Sequence, residues 1–279
     1  KSASPNVRKF VRELGADITQ ITGTERAGRI TKEDVKIYIK DKISDDVAPS
    51  KKNNKIKDEY EHHEFGKVEI KDMPRVKRLS GPHLVRSWTE IPHVTHHDEI
   101  DITEMEQFRS SLRDLYTGQK ISVTPLAFIM RAMVNALTVY PNFNTSLDPE
   151  NGKVIYKSYF HIGVAVDTPH GLMVPKIRNV DKLGIKEISQ QLRSVSKLCK
   201  ELKIEKKEFF GGSMTISSLG GIGGVTFFTP IINPPEVSIL GVGKSYDKVV
   251  SIEGQITTRK ILPISLSYDH RIIDGAEAA

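Results

Sequence analysis

Residues 261–275 read ILPISLSYDHRIIDG: an apolar run from Ile261 to Tyr268 ends on a polar turn that carries one histidine, His270, and then an aspartate, Asp274. Sites collect where a rigid strand hands over to a loop, so this string joins a fold signal to a chemical one. Working back from it, Ser213 to Ser218 and Val237 to Val242 are two further β-rich runs, with a polar hairpin-like stretch around Glu253-Gly254 before the last strand. His161 to Val166 and Leu172 to Ile177 flank Asp167-Thr168-Pro169-His170-Gly171, whose turn-forming residues predict a hairpin. Pro92 to Asp98 reads as another strand. Helical spacing appears at Ile185, Ile188, Leu192, Val195 and Leu198, and at Leu84 and Trp88 within Ser80 to Thr89. Asp101 to Tyr116 is a predicted helix with Thr103 and Glu106 in capping-box spacing. Thr124-Pro125 opens one that is almost wholly apolar through Phe128, Met130, Met133 and Leu137, and Pro141 stops it. Strands alternating with helices in this order predict an α/β domain with a mixed sheet.

The remainder is smaller and more polar. Ser4-Pro5 opens a short amphipathic helix with Val7, Phe10, Val11 and Leu14 on one face and Gly15 at its end. Thr31, Glu33 and Asp34 start a second, with Val35, Ile37, Tyr38 and Ile39 as its apolar residues. A core of this size suits a binding module rather than an enzyme. Residues 43–66 are rich in charge and histidine and poor in apolar periodicity, which predicts a flexible linker. The 279 residues hold 38% hydrophobic and 27% charged side chains with a net charge of +6 spread over both signs, so no nucleic-acid partner is expected. No apolar run approaches the roughly 20 residues that cross a bilayer. The single cysteine, Cys199, forbids an internal disulfide and fits a reducing compartment such as the cytosol or an organelle matrix. A start at Lys1 and a stop at Ala279 in what reads as mid-helix predict a fragment of a longer chain.

Three groups of residues are candidates for function. His270 has the residue type of a general base, since an imidazole is largely neutral near pH 7 and can take a proton from a thiol or hydroxyl; capping the strand or satisfying a core hydrogen bond is the competing role. Gly211 to Gly224 brackets a strand whose alternation puts Ser213, Thr215 and Ser217 on one face and Ser218 on the other, and a hydroxyl there could donate to an oxyanion. The glycines lack the Gly-Lys-Ser/Thr of a phosphate loop. Arg8 and Arg12 stand one helical turn apart, with Arg26 and Arg29 nearby, and make either a docking face or an ordinary solvated one. His62, His63, His93, His96 and His97 lack zinc-ligand spacing, so no metal is expected. Cys199 is read as structural.

On these residues the chain resembles the dihydrolipoamide acyltransferases, the core (E2) components of the 2-oxo-acid dehydrogenase complexes. Residues 1–42, with Pro5-Asn6-Val7-Arg8-Lys9, Gly23-Thr24 and Ala27-Gly28-Arg29-Ile30, resemble the peripheral subunit-binding domain. Residues 67–279 resemble the acyltransferase domain, cut short at its C-terminus, through Ile91-Pro92-His93-Val94-Thr95-His96, Asp101-Ile102-Thr103-Glu104, Gly163-Val164-Ala165-Val166-Asp167 and the His270-x-x-x-Asp274-Gly275 signature. The first two of these are most similar to the branch serving the pyruvate dehydrogenase complex, ahead of the succinyl and branched-chain branches.

The resemblance implies a chloramphenicol acetyltransferase-like fold and acetyl transfer from S-acetyldihydrolipoyl-lysine to coenzyme A. His270 would be the base, Ser217 the oxyanion donor, and Asp274 a residue that orients the loop. The site would lie between subunits of a homotrimer that assembles into a larger core. Lipoyl domains are absent from these residues, so the acyl group would arrive on another part of the protein or on another chain. Arg8, Arg12 and Arg29 would dock pyruvate dehydrogenase (E1) and dihydrolipoamide dehydrogenase (E3). Glu25 replaces a loop glycine of the family, which predicts local backbone strain. A non-catalytic core subunit and an acetyltransferase for a free small molecule are the alternatives; keeping His270 speaks against the first, and the subunit-binding domain against the second.

Overall fold

The computed structural model describes residues 2–47, 61–113 and 116–279. It falls into two compact units, Lys1–Ile70 and Lys71–Ala279. In the first, α1 (Pro5–Glu13) starts where the Ser4 hydroxyl accepts the Val7 amide at 3.4 Å, and Gly15 leaves the helix at φ 64°. Helix α2 (Lys32–Val47) opens on a reciprocal cap: Thr31 Oγ1 accepts the Asp34 amide at 3.2 Å, and the Asp34 carboxylate accepts the Thr31 amide at 2.8 Å. The same carboxylate takes the Thr24 hydroxyl at 2.7 Å, tying the loop to the helix. These donors, Thr31 first, hold the Asp34 carboxyl at about 2. Val7, Val11, Ile21, Ile30 and Val35 form the small core, each contributing about 1.5–3 kcal/mol by burial. Leu14 and Ile37, expected on the apolar faces, are exposed.

The strain expected at Glu25 is not there. Glu25 sits at φ −79°, an ordinary extended conformation. The demanding positions of this loop are Gly28, at φ 71°, and Gly23, where a Cβ would lie 2.5 Å from the Gly28 carbonyl oxygen. Of the stretch read as linker, residues 48–60 lie outside the described residues, and α2 continues to Val47.

The second unit opens with α3 (Arg75–Glu90), β1 (His93–Asp101), α4 (Thr103–Ser111) and α5 (Pro125–Val139), followed by a two-stranded ribbon, β2 (Thr145–Asp148) and β3 (Lys153–Tyr156). Then come the hairpin β4 (Ile162–Val164) and β5 (Lys176–Ile177), helix α6 (Ile185–Lys200), strands β6 (Met214–Ser218), β7 (Ser238–Val242), β8 (Tyr246–Ile252) and β9 (Gln255–Asp269), and a last turn, α7 (Gly275–Ala278). The sheet runs β1-β9-β7-β6-β4-β5, with β8 paired to β9. Strands β4, β6 and β7 are mutually parallel and the other pairs antiparallel, which makes the sheet mixed. Glu253 and Gly254, at φ 50° and 80°, form the tight β8–β9 turn that such positive angles favour.

Helices α5 and α6 bury their apolar stripes, including Met130, Met133, Leu137, Ile188 and Leu192, in a core shared with Ile216, Leu262 and Tyr268 of the sheet. Three local expectations change. Asp101, not a Thr103–Glu106 box, caps α4: its carboxylate accepts the Thr103 amide at 2.9 Å and the Thr103 hydroxyl at 2.6 Å. Helix α4 ends at Ser111, short of Tyr116. On α3, Leu84 and Trp88 stay about half exposed, and the buried contact is polar, Ser87 Oγ donating to the Ile232 carbonyl at 2.6 Å.

Candidate active site

His270 follows the last residue of β9. Its backbone amide donates to the Pro92 carbonyl at 3.1 Å, its side chain is exposed, and no described side chain hydrogen-bonds its ring. Beneath it lies Tyr268, fully buried, with ring centres 5.8 Å apart. The Tyr268 hydroxyl and His96 Nε2 are 3.2 Å apart and their rings meet edge to face. Burial, and then the negative charge of Asp274, push the Tyr268 hydroxyl's pKa up. Asp274 itself is exposed at the start of α7 and makes no capping bond. Its neighbour Asp269 is buried and clamps Arg271, with Nη2 to Oδ2 at 2.6 Å and Nε to Oδ1 at 2.9 Å. The turn that carries the imidazole is therefore pinned on both sides while the ring itself is free to meet a substrate.

Ser217 lies elsewhere. Sheet register puts it opposite Gly241, Gly241 opposite Ser265, and Ser265 opposite His97. Ser217 is half-buried and Ser218, on the other face, is exposed. His97 Nδ1 and Ser265 Oγ are 2.9 Å apart, and Ser265 Oγ also accepts the Phe228 amide at 3.3 Å. Glycine suits position 241 of that row because a side chain there would be crowded: a Cβ on Gly241 would come within 2.9 Å of the Phe228 ring. Position 270 is five residues along β9 from this row and two strands across from β6. At about 3.3 Å per residue and about 4.8 Å between strands, Ser217 and His270 of one chain are roughly 19 Å apart. The structure does not bring the two candidate residues together within a single chain.

Sequence reasoning missed a buried charge cluster behind Ser217. Lys176 and Glu236, each 3% exposed, pair at 2.5 Å, and the buried Thr215 hydroxyl donates to the other Glu236 oxygen at 2.5 Å. Lys157 donates to the carbonyls of Thr145 at 2.8 Å and Gly212 at 2.9 Å. Burial of its ammonium, helped by the charge of Lys176 and opposed by Glu236, lowers its pKa to about 8. Polar residues at strand ends in this sequence are numerous, and only the contact map distinguishes these.

Of the remaining candidates, His93 Nε2 accepts the Ile232 amide at 3.0 Å and His97 pairs with Ser265, so both are spent on holding loop and sheet. Among the described residues no cluster of three or more His, Cys, Asp or Glu side chains could hold a metal ion. Cys199 is buried, which raises its thiol's pKa. In the small unit Arg8, Arg12 and Arg29 are all exposed. Arg8 Nε donates to the Ala3 carbonyl at 3.3 Å, and Ala3 is bridged to Ile30, the residue after Arg29. Arg8 thus reaches, and Arg29 adjoins, one backbone bridge, with Arg12 a turn from Arg8 on α1.

A mixed α/β unit with a histidine at a strand end, preceded by a small helical unit, defines a class. Residues 65–279 match the family of 2-oxoacid dehydrogenases acyltransferase (catalytic domain), and residues 2–36 match the E3 binding domain. The chain belongs to the 2-oxoacid dehydrogenase acyltransferase family. It is 49% identical over 288 residues to the dihydrolipoyllysine-residue acetyltransferase component of the pyruvate dehydrogenase complex of Cupriavidus necator, covering 99% of this chain and 52% of the relative. It is 44% identical to the same component of Haemophilus influenzae, covering 99% of this chain and 51% of that one. The chain therefore spans about half the length of these curated relatives. A solved dihydrolipoamide acetyltransferase of Azotobacter vinelandii, studied for the roles of a serine, a histidine and an asparagine in catalysis, superimposes with a TM-score of 0.74 at 41% identity, covering 78% of this chain and 90% of that one. The cubic core of a pyruvate dehydrogenase multienzyme complex gives 0.74 at 40% identity over the same shares.

Proposed function

We propose that this chain transfers an acetyl group from S-acetyldihydrolipoyl-lysine to coenzyme A in the core of a pyruvate dehydrogenase complex. The observation that carries the mechanism is the separation of Ser217 from His270 within one chain. A complete site then needs His270 of one copy and Ser217 of a neighbour, as in a cyclic trimer whose channel runs between subunits. A thiol with a pKa near 8.5 is mostly protonated at pH 7 and is a weak nucleophile until a base removes the proton. The exposed His270 imidazole takes that proton from coenzyme A. The thiolate adds to the thioester carbonyl, and the Ser217 hydroxyl of the neighbouring copy donates to the oxyanion. Collapse breaks the bond to the dihydrolipoyl sulfur, which leaves with the proton held by the imidazolium. The Azotobacter enzyme was studied for an asparagine four positions after its histidine, the same spacing as Asp274 from His270. The charge of Asp274 near Tyr268 fits a residue that orients the loop rather than one that moves protons.

The lipoyl-lysine comes from outside these residues. The exposed arginines of the small unit, the E3 binding domain match and the relatives' names support docking of dihydrolipoamide dehydrogenase, with pyruvate dehydrogenase as a second partner of the same unit. The bacterial relatives favour the cytoplasm, and no helix among the described residues is long and apolar enough to cross a membrane. The test is turnover of acetyl-CoA with dihydrolipoamide in the full-length protein. His270→Ala should lower kcat by about 10²- to 10⁴-fold, the range of a positioned proton-transfer group, with the fold intact. Near-full turnover would remove His270 from the reaction, and preference for succinyl- or branched-chain acyl-CoA would change the substrate.

A further inference from the structure

The Lys176–Glu236–Thr215 cluster ties together the strands that lead to the two half-sites. Thr215 lies on β6 two residues before Ser217 and on the same face of the strand, so whatever holds its side chain holds that face. Lys176 comes from β5 at the edge of the sheet, and its ammonium also reaches Thr215 Oγ1 at 3.4 Å. Glu236 comes from the loop before β7, and the next residue, Val237, accepts the Asp269 amide at 2.8 Å, one residue short of His270. One carboxylate thus bonds toward Ser217 through Thr215, while its own backbone neighbour bonds toward His270 through Asp269. The loop is further fixed by Ser146 Oγ donating to the Pro235 carbonyl at 2.6 Å and by Asn233 Nδ2 reaching Glu236 Oε1 at 3.4 Å.

The surrounding backbone is shaped to this cluster. A Cβ on Gly163 of β4 would run into Thr215 Oγ1 and lie 2.6 Å from Lys176 Nζ. A Cβ on Gly212 would run into Glu236 Oε1 and lie 2.8 Å from Lys176 Cε. An ion pair this deep is a poor source of stability, because removing both charges from water costs about as much as their attraction returns. Its directional bonds are worth more as a fixed spacer. We propose that Lys176, Glu236 and Thr215 are positioning residues that hold the Ser217 and His270 ends of the sheet in register. The assignment rests on the reading of those two residues as the halves of the active site. It adds that the distance between a trimer's neighbouring half-sites is set inside each subunit, by a cluster that touches no substrate.

Thr215 is the place to test it, since Val matches its shape and lacks only the donor. In the full-length protein, Thr215→Val should lower kcat about tenfold or more while leaving KM for coenzyme A within about twofold, because a displacement of about 1 Å remote from the chemistry costs on the order of a hundredfold. Thr215→Ser, which keeps the hydroxyl, should restore kcat. Full kcat in Thr215→Val, or an equal loss in Thr215→Ser, would overturn the assignment. If Thr215→Val fails to fold, the paired replacement Lys176→Met with Glu236→Leu removes both charges at similar volume and should be stable yet slow; stable and fully active protein would overturn the idea. His270→Ala, run alongside, separates the two readings: its inactivity with an active Thr215→Val sinks only the positioning role, whereas activity in His270→Ala sinks the site itself.

Discussion

Two inactive variants of this protein should make an active one when mixed. On the proposed mechanism His270→Ala would lack the base and Ser217→Ala the oxyanion donor; removing such a donor costs about 10²- to 10³-fold. Within one chain the two residues are separated by five positions of β9 and two strands, roughly 19 Å, so no substrate carbonyl can meet both. In the proposed cyclic trimer each site would join His270 of one subunit to Ser217 of the next, a heterologous contact that closes on itself. When the two variants assemble at random in equal amounts, a site is intact only if the first subunit carries Ser217→Ala and the second His270→Ala, which holds for about one quarter of the sites. The assay is turnover of acetyl-CoA with dihydrolipoamide after co-expression, or after dissociation and joint reassembly. Expected activity is near one quarter of the unmodified protein, against about 1% or less for either variant alone. A second arm mixes unmodified protein with the doubly substituted chain. A site between chains again leaves about one quarter of sites intact, whereas a site within a chain leaves about half. Activity that stays at the sum of the two residual rates in the first arm, or reaches half in the second, refutes the shared site.

Two further outcomes follow from the charges. Lys157 has a folded pKa of about 8 against 10.5 in the open chain, so the folded state carries the full cost of its buried ammonium below pH 8. Between pH 8 and 10.5 the unfolded chain binds the extra proton, and stability rises with pH by about 3 kcal/mol. Denaturation midpoints of the unmodified protein and Lys157→Met across pH 7.5–10.5 check this, and equal slopes would remove Lys157 as the cause. At the other end of the chain, Arg8→Ala with Arg29→Ala should weaken binding of dihydrolipoamide dehydrogenase and leave acetyl transfer to free dihydrolipoamide unchanged. Calorimetry at low and high salt should show the loss shrinking as salt rises, since exposed charges are screened beyond about 8 Å at physiological ionic strength; full affinity in the double variant would return the arginines to an ordinary solvated face.

Periodicity carried most of the architecture because it reports burial directly. The Ile185–Leu198 stripe, the Thr124-Pro125 start, the 161–177 hairpin and the Glu253-Gly254 turn are each local: the residues that dictate the element are the residues within it. Two of the three exceptions come from a partner remote in sequence, and the third from a nearer local competitor. Leu84 and Trp88 have helical spacing, yet the face of α3 that meets the loop is set by Ser87 and the Ile232 carbonyl. Thr103 and Glu106 have capping-box spacing, but Asp101 is nearer in space and takes both Thr103 donors. Thr124 holds the N-cap position of α5 without a side-chain capping bond, and its amide donates to Ser189 Oγ of α6 at 3.1 Å.

The sequence by itself determined the two-unit order, the α/β character of the larger unit and the residue types of the chemistry, a histidine four places before an aspartate and a strand of hydroxyls between glycines. These are properties of short strings, and resemblance to a family is a property of many such strings in order. Tertiary structure alone decided which of them meet. Sheet register separates Ser217 from His270 in one chain, and buries Lys176 against Glu236 across 60 positions of sequence. The physical reason is that pairing between strands is fixed by the whole hydrophobic pattern of the sheet, and a contact between distant residues leaves no periodic trace in either segment.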